Sequence, residues 1–260
     1  VEIEVEGKNL PRAPEGWRAE IDGSLKAAEA LEFVMTNPVP VEELGKALKE
    51  LGQAFKKNKA VFDNSYRAGI HVHVNVQELS MIELATMIST YFVFETSLVN
   101  TCNPFRRGNH FCLRAKDAGY QVRKLQEAFV YNRPQLFGDE DIRYASMNVC
   151  SVPKYGSVEF RSLESTPDFK KVSQFAEMHY NLKKFATTVA SPDKALHLLQ
   201  QEGVGAFCKR VFGEYSDILL QQPSFYQDCE AGLELAEDLA FCRPWGVRSL
   251  DIFALDKEVF

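Results

Sequence analysis

Polar and apolar residues alternate along Gly69–Val76, which reads GIHVHVNV. A strand there sends His71, His73 and Asn75 to one face and Ile70, Val72, Val74 and Val76 to the other. The same period of two runs through Val1–Glu6 (VEIEVE), with Glu2, Glu4 and Glu6 on one face. Gly7–Gly16, with two prolines and two glycines, is a loop. Alternation resumes at Trp17–Ile21, and Asp22-Gly23 signals a turn. Ala28–Met35 (AEALEFVM) predicts a strand that Asn37-Pro38 stops, setting Glu32 between apolar neighbours.

Helical spacing takes over elsewhere. Leu44, Leu48, Leu51 and Phe55 predict an amphipathic helix over Val41–Lys57. Leu79–Asn100 predicts a long, largely apolar helix packed on the sheet, and Tyr120–Tyr131 a second amphipathic one. Asn103–Asn109 and Pro134–Asp141 read as loops. Arg143–Val149 (RYASMNV) and Ser157–Leu163 (SVEFRSL) predict an antiparallel hairpin turning through Pro153–Gly156, with Glu159 and Arg161 on one face. After Thr166-Pro167-Asp168 the pattern is helical: Phe169–Val189, Asp193–Glu202, Phe212–Leu220 and Phe225–Ala240. This order predicts an α+β fold, with a sheet-bearing core over residues 1–167 and a helical region over 168–260 packed on the same domain.

Composition narrows the function classes. A chain of 260 residues, 45% hydrophobic and 25% charged, can bury a sizeable core. A net charge of −6 disfavours a nucleic-acid partner, which calls for a basic surface. The longest apolar run, Met81–Val99, is interrupted by Glu83 and Glu95 and predicts a buried helix, so no membrane partner is expected. Six cysteines form no CxxC pair, and no signal-peptide pattern opens the chain, so reduced thiols and a cytoplasmic location are expected. The chain starts at Val1 inside a strand pattern, and residues are expected before it.

Two imidazoles at i, i+2 on a strand can converge on one ion or phosphate group. Carboxylates (Glu2, Glu4, Glu32, Glu159) and arginines (Arg106, Arg107, Arg143, Arg161) fall on other predicted strands or on the Asn103–Asn109 loop. Several carboxylates gathered on one sheet would be costly without cations, and such oxygen-rich ligation suits Mg²⁺ or Mn²⁺. Arginines beside those ions suit an anionic substrate. Neither GxxxxGK[ST] nor GxGxxG occurs, so a nucleotide would be held by its phosphates through metals.

These segments occur in a recognisable order: Glu2-Ile3-Glu4, Trp17 to Glu32 with Asp22-Gly23-Ser24, Gly69–His73, Pro104–Cys112, Arg143–Asn148, and Ser151–Arg161 ending in ExR. In that order the chain resembles the carboxylate–amine ligases of the glutamine synthetase and glutamate–cysteine ligase superfamily. Within it, the amidoligases of phage, bacterial and fungal genomes resemble it most. The resemblance implies a curved, mainly antiparallel sheet of the glutamine synthetase catalytic-domain type. It implies ATP as cosubstrate, and Mg²⁺ or Mn²⁺ held by Glu2, Glu4, Glu32, His71 and Glu159. His73 and Lys154 would lie near the phosphates. Arg143 and Arg161 would hold the transferred phosphoryl group or the substrate carboxylate, with Arg106 or Arg107 assisting. The implied reaction transfers phosphoryl from ATP to a carboxylate, and an amine then attacks the acyl phosphate. Glutamine synthetase also has a separate N-terminal domain for which this chain has no room, so a self-contained site in a monomer or small homo-oligomer is expected. Two other readings compete: a metal-dependent hydrolase built on His71 and His73, and a non-catalytic binding module on the same scaffold.

Overall fold

A computed structural model describes residues 1–245; the last part of the predicted 168–260 region, residues 246–260, lies outside the described residues. The alternating segments form strands β1 (Glu2–Lys8), β2 (Trp17–Glu20), β3 (Ala30–Met35), β4 (Val61–Phe62), β5 (Gly69–Asn75), β6 (Met147–Asn148) and β7 (Ser157–Glu164). They make one open sheet in the order β2-β3-β1-β5-β7-β6, with β4 paired to the far end of β1. Every strand pair is antiparallel. The chain therefore has a mixed α/β architecture with a mainly antiparallel sheet, as the element order predicts.

Register decides which side chains meet. Glu2 lies opposite Val34 on one side and His71 on the other, and Glu4 opposite Glu32. His73 faces Glu159, which in turn faces Asn148. Between these pairs the β5–β7 ladder slips: Ile70 pairs Leu163 while Val72 pairs Phe160. Arg161 and Ser162 thus stand together opposite His71, a β-bulge of the kind that re-aims side chains beside functional sites.

The opposite face of the sheet is apolar. Ile3, Val5, Phe33, Ile70, Val72, Val74, Val158 and Phe160 are buried against helices α1 (Val41–Asn58), α2 (Met81–Asn100) and α5 (Phe169–Val189). On α1, Leu44, Leu48, Leu51 and Phe55 form the buried stripe that their spacing predicts. Ser80 caps α2, and Ser80 and Glu83 make a reciprocal capping box. By length and composition α2 could cross a membrane, but 89% of its apolar window is buried inside the protein. It is enclosed because α5, α6 (Pro192–Glu202) and α9 (Phe225–Ala240) pack against it as well. The α2–α9 approach is close enough to require Gly232, where a Cβ would sit 2.3 Å from the Phe92 carbonyl oxygen.

Three expectations need correction. The predicted strand Arg143–Val149 shrinks to Met147–Asn148, with a 3-10 turn at Glu140–Ile142 and Arg143 at the surface. The Leu113 loop and the side chain of Gln121, on α3 (Gly119–Val130), take backbone groups a longer strand would have paired. Ser146 N donates to Leu113 O, and Gln121 Nε2 donates to Met147 O. The turn into β7 contains a short helix, α4 (Ser151–Tyr155), closed by Gly156 at φ 68°. Finally, the predicted helix Phe212–Leu220 is interrupted by Gly213 at φ 57°. The chain instead forms α7 (Val204–Phe212), a 3-10 turn, and α8 (Ser216–Leu220).

Candidate metal and substrate site

Alternation along β1 turns Glu2, Glu4 and Glu6 away from the core, and β3, β5 and β7 contribute Glu32, His71, His73, Glu159 and Arg161 to the same side. His71 sits at the centre and is 4% exposed. Its Nδ1 lies 3.3 Å from a Glu2 oxygen and 3.3 Å from a Glu159 oxygen, and its Nε2 lies 3.8 Å from Glu4. His73 Nε2 is 3.4 Å from Glu2 and has no hydrogen-bond partner although buried; its Nδ1 is 3.0 Å from Ser157 Oγ. Two overlapping sets of ligand atoms result, Glu2–His71–Glu159 and Glu4–Glu32–His71, each gathered within 4.8 Å. Since a neutral imidazole has one free lone pair, His71 can serve one ion with nitrogen while the other is held by oxygen.

The electrostatics fit a cation. Burial pushes the Glu32 carboxyl up to about 7, helped by the charges of Glu2 and Glu4. Burial also raises Glu4, despite His71 nearby and the Gly69 N–H that donates to its Oε2 at 2.8 Å. Burial opposes ionisation of Glu2 too, but the His71 hydrogen bond and the neighbouring His73 imidazole outweigh it and hold that carboxyl well below the usual range. For Glu159 the cost of burial is overcome by Arg161, then by His71 and His73. Asn148 Nδ2 donates to the other Glu159 oxygen at 2.6 Å. Arg161 contacts Glu159 directly and donates from Nε to Phe111 O at 3.4 Å. Crowded acids, two of them (Glu4 and Glu32) with raised pKa values, and a buried orphan nitrogen would be relieved together by divalent ions. The donor set of carboxylate oxygens with one or two imidazoles fits Mg²⁺ or Mn²⁺.

Thus Glu2, Glu4, Glu32, His71, His73, Glu159 and Arg161 are brought together. Glu6, on the same strand face, is spent on structure: it accepts from the backbone N–H groups of Lys26 and Ala27 and from Ser65 Oγ. The remaining predicted cations lie elsewhere. Arg106 is 1% exposed and gives its guanidinium to three carbonyls: Arg161 at 2.6 Å, Ser162 at 3.4 Å and Tyr66 at 3.4 Å. It fills the bulge from behind, over Gly69, where a Cβ would come within 2.8 Å of its NH2. Arg107 donates to Asn100 O at the surface. Arg143 is exposed beside Glu140 and over the Tyr144 ring, and Lys154 is exposed over the Tyr155 ring.

Sequence reasoning gave no role to Asn148 or Ser157. Pairing the last polar residue of RYASMNV with Glu159 across the predicted hairpin would have found Asn148. A cavity of about 590 Å³ opens beside Glu2 and His73, walled by β3, β5, Pro38–Val41 and α5. Val1 also lines it, and Glu4, Glu32 and Glu159 do not.

Carboxylates and histidines on the polar face of an antiparallel sheet, with one arginine locked to an acid, define a candidate divalent-metal site for an anionic substrate. The remaining histidines join neither ligand set: His110 stacks on Phe111 in a loop, His179 is enclosed by Phe160 and Phe175, and His197 lies on α6 near Phe241. The family model described as "Putative amidoligase enzyme" matches residues 2–182, and the chain belongs to that family. Its description is that of a ligase. No curated protein and no solved structure matches the chain significantly.

Proposed function

We propose that the protein is an ATP-dependent carboxylate–amine ligase that works through an acyl phosphate. The observation that supports this most directly is the pair of overlapping carboxylate–imidazole sets sharing His71, in a chain of the amidoligase family. Glu2, Glu4, Glu32, His71 and Glu159 would hold divalent ions, which supply charge neutralisation for the nucleotide phosphates when bound. Arg161, fixed by Glu159 and by the Phe111 carbonyl, neutralises charge on the transferred phosphoryl group or orients the substrate carboxylate. In the first step a carboxylate oxygen bonds to the γ-phosphorus and the bond to ADP breaks. In the second an amine nitrogen attacks the carbonyl carbon, loses a proton, and expels phosphate. Asn148 positions Glu159.

Release of ADP from full-length protein, with panels of acids and amines and with or without Mg²⁺, tests this reading. A ligase needs acid, nucleotide and metal together. ADP release that ignores the acid, or none with any pairing, contradicts it.

A further inference from the structure

Arg161 is already paired with Glu159, and nucleotide phosphates would bring further negative charge to the site. An anionic acid substrate therefore needs another cation to receive it. Arg67, half-buried two residues before β5, has that capacity. Its guanidinium lies 5.2 Å from the Tyr66 ring centre and 5.5 Å from that of Phe111, which holds an otherwise mobile side chain in place. One donor, NH1, reaches Ser24 O at 3.2 Å. Among the described residues Arg67 makes no ion pair. Glu6, whose charge it feels, spends its oxygens on Lys26, Ala27 and Ser65.

The position is built. Ser65 Oγ accepts from the backbone N–H groups of Arg67 and Ala68 at 3.0 and 3.1 Å. Asn109 Nδ2 and Arg106 both donate to Tyr66 O. Two independent routes tie this loop to the cluster. Phe111, under the Arg67 guanidinium, presents its carbonyl to Arg161. Ser24, which receives Arg67 NH1, belongs to the Asp22 turn, whose charge acts on Glu4 and Glu32. Arg67 thus lies over the ring of Phe111, and Arg161 at its carbonyl.

We propose that Arg67 is a carboxylate-binding residue at the mouth of the metal cluster and recognises an anionic group of the acid substrate. The proposal rests on the ligase reading for the identity of that substrate. A planar guanidinium, with one donor engaged and two rings holding it, still offers N–H groups for a two-point contact matched to a carboxylate. Nucleotide phosphates share this chemistry but would be held by the metals.

Phenylglyoxal footprinting of the full chain in Mg²⁺, read at the Arg67 peptide by mass spectrometry, tests it without any variant. Acetate and glutarate serve as carboxylate probes and a non-hydrolysable ATP analogue as the phosphate probe. Carboxylate should slow modification of Arg67 about fivefold or more, and the nucleotide analogue alone should leave it within about twofold, as a two-point carboxylate contact requires. Protection by the nucleotide alone, or none by either carboxylate, overturns the proposal. In the ADP-release assay R67A should raise KM for the acid about tenfold, with kcat within about twofold, as loss of binding made equally in ground and transition states requires. An unchanged KM overturns it as well. Protection of Arg67 without ADP release in any pairing defeats the ligase reading alone, whereas ADP release with Arg67 unprotected defeats this inference alone.

Discussion

Glu32→Gln should stabilise the metal-free protein while removing its response to divalent ions. Glu32 faces Glu4 across the β1–β3 ladder, and burial with its acidic neighbours lifts its carboxyl from an ordinary 4.5 to about 7. At ~1.4 kcal/mol per pH unit that lift corresponds to roughly 3 kcal/mol. The side chain is partly exposed, and solvent screening reduces the figure to about 1.5 kcal/mol. A carboxyl raised in the folded state adds stability that is fully present below 4.5 and is lost as pH rises through 7. Above neutral pH the wild type therefore carries the cost, and the neutral isostere does not. Thermal unfolding in EDTA at about pH 8 should show E32Q melting some 3–6 °C above wild type, given ~2–4 °C per kcal/mol for a chain of this size. At about pH 4 the difference should nearly disappear, because Glu32 is then mostly protonated in both the folded and the unfolded chain. Adding about 10 mM Mg²⁺ or Mn²⁺ should raise the wild-type midpoint and leave E32Q nearly unmoved, since only a bound ion stabilises by mass action. A lower midpoint for E32Q in EDTA, or an undiminished metal response, would refute the reasoning.

Other substitutions probe separate parts of the structure. Glu159→Gln and Arg161→Ala should each cut turnover by about two orders of magnitude or more, with circular dichroism spectra unchanged; activity near wild type in both would remove these residues from the site. Gly69→Ala should destabilise by about 1–3 kcal/mol in urea titrations, because the new Cβ meets the Arg106 guanidinium; a neutral effect would show that Arg106 does not fill the bulge. Burial raises fully buried Glu95 on α2 to about 7, while it accepts from Ala115 N at 2.8 Å and from Ser146 Oγ. Its contribution is complete below 4.5 and fades as pH rises through 7, on the order of 3 kcal/mol. Glu95→Gln should flatten most of the loss of stability between about pH 5 and 8, and an unaltered slope would assign that loss elsewhere.

The parts of the site that could be read from the sequence are those whose position follows from local alternation. His71 and His73 share a face because a strand repeats every two residues, and the same rule aligns Glu2 with Glu4 and Glu159 with Arg161. Alternation places each pair on its own strand, but it does not state the register between strands. Glu4 opposite Glu32 and Glu159 opposite Asn148 are tertiary facts. Arg106 shows the same limit from the other side. In the sequence it is one of two adjacent arginines in a glycine-flanked loop, where exposure is the ordinary expectation. The bulge in β7 leaves carbonyls at Arg161 and Ser162 that no strand reaches, and Arg106 is drawn inward to satisfy them. Arg143 errs in the opposite sense: RYASMNV alternates, yet the segment turns before Ala145 because α3 and the Leu113 loop supply its partners. Glu95 interrupts an apolar helix in the sequence, and its partners Ala115 and Ser146 lie on segments distant in the chain.

Isothermal titration of the full chain with Mn²⁺, repeated for Glu4→Gln and Glu159→Gln, is the most direct test of the metal site. Wild type should bind the ion and then, in its presence, a non-hydrolysable ATP analogue. Each variant should lose about tenfold or more in metal affinity, the loss of one charged ligand being worth more than 1.4 kcal/mol. Wild-type protein that takes up no Mn²⁺, or variants that bind it as tightly as wild type, would contradict a metal cluster on this face of the sheet.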